Sequence, residues 1–168
     1  MFVRDETADE LVRTQPKLQD LVHGRTAMAW LPGQSAGVGA QGCLMLGGGA
    51  TGVSVLWLSK ITTQHFMYFM ICAAFFAVIH GFTFYAVLRG RPKARTRAYR
   101  FAIAMLSLSA CVTVICIVSG AWIPLLIVCA GLLFNGLGTR LIAGPSYALL
   151  SALFRGQREH MDAAGPPH

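Results

Sequence analysis

The sequence predicts an all-α membrane protein with four transmembrane helices arranged as two antiparallel hairpins. An amphipathic N-terminal cytoplasmic arm and a C-terminal interfacial helix complete the predicted architecture. Three observations carry this. Residues 26–59, 61–88 and 101–139 contain no Asp, Glu, Lys or Arg, and only Lys60 separates the first two stretches. A hydrocarbon core about 30 Å thick needs roughly 20 apolar residues per helical crossing, so these stretches suit two hairpins. Charged residues make up 12% of the chain, about half the share that a soluble domain uses to solvate its surface. Finally, residues 89–100 (RGRPKARTRAYR) hold six bases and no acid. Such a loop resists translocation and marks the cytoplasmic side.

Residues 1–35 form the arm. Thr7-Ala-Asp-Glu10 has capping-box spacing, in which hydroxyl and carboxylate each satisfy a free helix N–H. Leu11, Leu18, Leu21 and Val22 fall near one helical face, and Pro16 divides it into two short helices or kinks one. The arm lies on its own bundle or on the membrane, or residues 5–23 dock a cytoplasmic partner. Pro32-Gly33 is a turn signal, and Trp30 before it suits the interface. With no basic start and early apolar stretch to mark a cleavable signal, the first crossing is expected to be retained.

The membrane region covers 36–139. Its first crossing, about 37–58, is glycine-rich, and Gly48 and Gly52 make a G-x-x-x-G. Small residues let helices approach to backbone contact in lipid, where hydrophobic drive is missing. Gly47-Gly48-Gly49 also weakens the helix and allows a kink. Residues 60–65 form a short outer loop. The second crossing, about 66–88, is rich in aromatics, with Tyr68 and Tyr85 near its ends. Gly90 and Pro92 break the basic loop. The third crossing is about 101–118 and the fourth about 123–137, joined by a tight outer turn at 119–124. Residues 140–168 form the last segment. Within it, 141–154 is interrupted by Gly144-Pro145 and too short to span, so it reads as an interfacial or re-entrant helix before a flexible tail.

The bases sort to one side: Arg25, the 89–100 cluster, Arg140, Arg155 and Arg158, against Lys60 alone opposite. Both termini are therefore expected in the cytoplasm, and residue usage suits a bacterial inner membrane. Arg89, Arg91, Lys93, Arg95, Arg97 and Arg100 are assigned to topology and to attraction of anionic lipid. The net charge of +7 is concentrated beside apolar stretches, which argues against a nucleic-acid partner.

His80 is the one histidine well inside a predicted crossing. An ionisable group at that depth is a candidate for haem or quinone binding or proton relay. The bland alternative is a neutral imidazole bonded within the bundle. Asn135 can join helices by hydrogen bonds. Ser109 and Thr113, four apart on one face, are expected to do the same. The five cysteines lie in apolar stretches without C-x-x-C spacing, so they read as small buried residues rather than a disulfide or zinc framework. No membrane carboxylate, phosphate loop or nucleophile–base motif occurs. No cofactor is expected.

These features favour a non-catalytic inner-membrane subunit that packs into a larger complex of other membrane proteins. Secretion, conjugation, respiratory and transport assemblies use such subunits. A small homo-oligomeric channel or carrier, with His80 as a pH-responsive gate, is the alternative. A redox subunit using His80 is the third reading.

Overall fold

The computed structural model describes residues 4–23, 33–59 and 63–164, without the side chains of 63–66, 68–70 and 72–73. Arg25, Trp30, Lys60 and residues 165–168 lie outside the described residues. The described chain is all-helical, with no strand. Its helices are α1 (Asp5–Thr14), α2 (Pro16–Val22), α3 (Gln34–Leu58), α4 (Thr63–Leu88), α5 (Ala94–Val118), α6 (Trp122–Ala143) and α7 (Pro145–Ala164).

Three of them, α3, α5 and α6, are long and apolar enough to cross a membrane. At 1.5 Å per residue each spans roughly 33–38 Å, more than the hydrocarbon core. Among its described residues α4 supplies the apolar segment Ala74–Leu88. Large apolar side chains face outward all round: Phe75, Val118, Trp122, Leu126 and Leu133 are each at least two-thirds exposed. Water would not tolerate a surface of this kind on a monomer, whereas lipid is its natural solvent.

Small residues decide which helices meet. Residues buried on α3 include Gly37, Ala40, Leu44, Gly47, Thr51 and Ser54. On α6 they include Pro124, Val128, Gly131, Asn135, Gly138 and Ile142. Ala98, Ala102, Met105, Ser109, Val112 and Cys116 form the buried row of α5. Each row advances by alternating steps of three and four. That 3.5-residue period keeps one seam facing its neighbour, as in left-handed bundles.

The widest interface is α3 on α6, followed by α5 on α6. Among the described residues, the sequential pair α3 and α4 touches far less. Gly47, Gly131 and Gly138 explain the preference. A methyl group at Gly47 would lie 2.9 Å from the Asn135 backbone nitrogen, and one at Gly131 would lie 3.0 Å from the Gly47 carbonyl. Gly48, half of the expected G-x-x-x-G, instead faces Phe76 of α4. Despite its three glycines, α3 is one continuous helix.

Several boundaries depart from the sequence reading. α1 begins at Asp5, so Thr7 lies inside the helix and makes no capping box; Asp5 and Glu6 occupy the first turn instead. Leu11 is exposed, while Ala8, Val12 and Leu18 are buried. Gln15, extended between α1 and α2, resets the helical phase, so the arm does not present one continuous face. α5 starts at Ala94, which makes Arg95, Arg97 and Arg100 helical rather than part of a loop. α6 runs on to Ala143, and Gly144 separates it from α7, which Pro145 opens. α7 is far from a bare interfacial helix. Its Ala148, Ala152 and Leu153 form a core with Ala8, Val12 and Leu18 of the arm.

Candidate functional site

Polar groups collect at three levels of the bundle. The deepest is a knot between α3, α5 and α6. Asn135 Nδ2 donates to Ser109 Oγ at 2.7 Å, and Ser109 Oγ and Thr51 Oγ1 are 2.8 Å apart. All three side chains are almost fully buried. Two residues of the knot also bond their own helices: Thr51 to the Gly47 carbonyl and Ser109 to that of Met105. One turn away, Ser54 Oγ donates to the Pro124 carbonyl at 3.0 Å. Bonds of this kind in a membrane contribute about 0.6 kcal/mol on average, up to about 1.7. The knot therefore specifies register among helices that hydrophobicity alone could not align. Asn135 and Ser109 join helices, but among the described residues Thr113 bonds the Ser109 carbonyl of its own helix. Asn135 Oδ1 is buried without a partner among the described residues.

The second level is aromatic and contains His80. Its ring is 2% exposed and meets the rings of Phe76 and Phe101 edge-on, each at 4.8 Å. Nδ1 lies 3.1 Å from Gln41 Oε1, so Nδ1 carries the proton when that oxygen accepts. Nε2 is buried and has no partner among the described residues. Tyr147 of α7, fully buried, also has a hydroxyl without a well-formed hydrogen bond. Burial pushes its phenol up to about 12, with the nearby Gln41 side chain and the Arg95 charge acting the other way.

The third level is Arg95, and here the sequence reading is corrected most. The sequence groups Arg95 with the cations assigned to topology and anionic lipid, yet it is completely buried. Nε donates to the Ile142 carbonyl at 3.0 Å and Nη2 to that of Ala143 at 3.0 Å. Nη1 pairs with Asp5 Oδ1 at 2.6 Å. The guanidinium thus satisfies carbonyls at the negative end of α6 and meets an acid at the positive end of α1. Arg155 of α7 adds a second contact to the arm, 2.7 Å from Asp9, and bonds Ser151 at 3.0 Å. That pair is partly exposed and contributes at most about 1 kcal/mol. The remaining cations of the cluster, Arg89, Arg91, Lys93, Arg97 and Arg100, are exposed.

Hydropathy could not reveal Gly47, Thr51, Ser54, Gln41 or Tyr147. The three-and-four spacing of small residues on α3 and α6 was the available signal, and it lies one residue away from the more conspicuous Gly48/Gly52 pair. Among the described residues, no group of three or more His, Cys, Asp or Glu side chains is placed to hold a metal ion. The arrangement fastens helices and latches the arm. Comparison with known proteins brings no relative to this architecture: no family model, no curated protein and no solved structure matches the chain.

Proposed function

We propose that the chain is a non-catalytic, multi-pass membrane subunit that packs into a larger assembly. One observation carries this reading. α3 is covered by α6 on one face, while its opposite side presents glycines to open space. Among the described residues, Gly42 and Gly49 have nothing within 4 Å of where a side chain would begin. Beside them lies an apolar groove of about 350 Å³ between α3, α4 and α5, lined by Gly48, Gly52, Phe76, Met105 and Leu108 among others. A glycine face in lipid gains from close packing against another helix, since lipid chains fit such a surface poorly.

Four crossings, paired as α3–α4 and α5–α6, belong to this proposal. α4 is 26 residues long, ample for a crossing. The arginine-bearing end, which carries α1, α2 and α7, faces the cytoplasm by the positive-inside rule, in a bacterial inner membrane. The arm's apolar face is engaged by α7, so a cytoplasmic partner would meet its outer, polar side.

The test is purification from the membrane at native expression, with in-cell crosslinking. A high-mass complex containing other membrane proteins is expected, and Gly49→Leu should dissociate it while leaving the subunit folded. A stable monomer without crosslinked partners would reject the proposal. A homo-oligomeric channel using the same groove is the second reading, distinguished by flux in liposomes holding the pure protein. The enclosure of His80 by Phe76 and Phe101 favours the subunit over a haem- or quinone-binding role. A Soret band in the purified protein would reverse that preference.

A further inference from the structure

The end of α4 meets α7 through a turn that only glycine allows. Gly90 has φ +60°, and a methyl group there would run into the backbone of Phe154 and Arg155. This close approach sets Arg89 and Arg91 beside Arg158 of α7. Together they line a cleft of about 610 Å³ with Tyr85, Phe154 and Asp162. Asp162 is the one acid in that lining, 3.5 Å from Arg158, so the cleft keeps a net positive charge.

The arginines lean back toward the apolar part of α4. Arg89 Nε donates to the Tyr85 hydroxyl at 2.7 Å, and Arg91 lies 6.0 Å above the Phe82 ring. Below them, Phe75, Val78, Phe82 and Tyr85 form an exposed apolar ridge at steps of three and four. Cationic cleft and apolar ridge are thus continuous, the shape of a phosphate head with a hydrocarbon tail. Guanidinium groups match phosphate oxygens in a two-pronged geometry that an ammonium cannot copy.

We propose that this cleft binds the phosphate ester of an anionic phospholipid. Arg89, Arg91 and Arg158 hold the phosphate oxygens, and an acyl chain lies along the ridge from Phe82 toward Phe75. The site rests on α4 lying in lipid, but not on the assembly proposed above.

The test uses full-length protein in nanodiscs of equal phosphatidylglycerol and phosphatidylcholine, released for native mass spectrometry. Wild-type protein should keep phosphatidylglycerol in clear excess. A charge-assisted hydrogen bond to phosphate is worth about tenfold or more, so the combined Arg89→Gln, Arg91→Gln, Arg158→Gln variant should lose roughly a thousandfold. Lys93→Gln, Arg97→Gln, Arg100→Gln removes the same charge outside the cleft, gives up only the general surface attraction, and should lose at least about tenfold less. Equal retention of both lipids by wild type, or equal loss in the two variants, overturns the proposal. Displacement of the lipid by millimolar inorganic phosphate also overturns it, by showing a site for the free anion. Blocked maleimide labelling at Val78→Cys reports separately that α4 lies in lipid.

Discussion

Replacing Arg95 by Met should unfasten two parts of the molecule at once. The substitution keeps most of the side-chain volume and removes every donor. Two α6 carbonyls, each bonded at 3.0 Å, are then left in a buried site, and Asp5 loses the partner at 2.6 Å. Breaking a buried ion pair from one side costs about 3–5 kcal/mol. Asp5 is a quarter exposed and can rehydrate, so the expected loss sits near the low end, about 3 kcal/mol. Asp5→Ala keeps the guanidinium on the α6 carbonyls but takes a carboxylate from a fully buried charge, and should cost a similar amount, about 3 kcal/mol. Unfolding by SDS in mixed micelles, followed by circular dichroism, measures both. Limited proteolysis adds a local readout: both variants should release α1, and only Arg95→Met should expose the α6–α7 junction at Gly144. If Arg95→Met stayed within about 0.5 kcal/mol of wild type, with the arm still protected, the latch would be an incidental contact and the reasoning would fail.

Two further outcomes follow from the same packing. Gly47→Ala should destabilise by about 1–3 kcal/mol through overpacking against α6, whereas Gly42→Ala, which meets open space among the described residues, should be neutral or slightly stabilising; the same SDS titration separates them. Tyr147 titrates at about 12 in the fold, above its ordinary value of about 10. Its contribution is therefore complete below pH ~10 and lost as pH rises toward ~12, by at most about 3 kcal/mol. Tyr147→Phe should flatten that alkaline fall, seen by comparing unfolding at mild and strongly alkaline pH, and should change little near neutrality because the hydroxyl lacks a well-formed bond.

The sequence by itself determined the solvent. Uncharged stretches of crossing length imply helices in lipid wherever they fold, because a bilayer offers no partner for an unpaired backbone group. Asn135 and Ser109 were legible as inter-helix groups for a related reason: a polar side chain at that depth must find a partner. Only the tertiary structure decided which helices touch. In lipid the drive to bury apolar surface vanishes, so close approach at Gly47, Gly131 and Gly138 selects α6 as the neighbour of α3, and a window of hydropathy is blind to it. The same holds for Arg95. In the one-dimensional chain it is one of six similar bases, yet its position in the first turn of α5 brings it against the carbonyl end of α6, where burial and two oriented carbonyls turn a topology signal into a fastening.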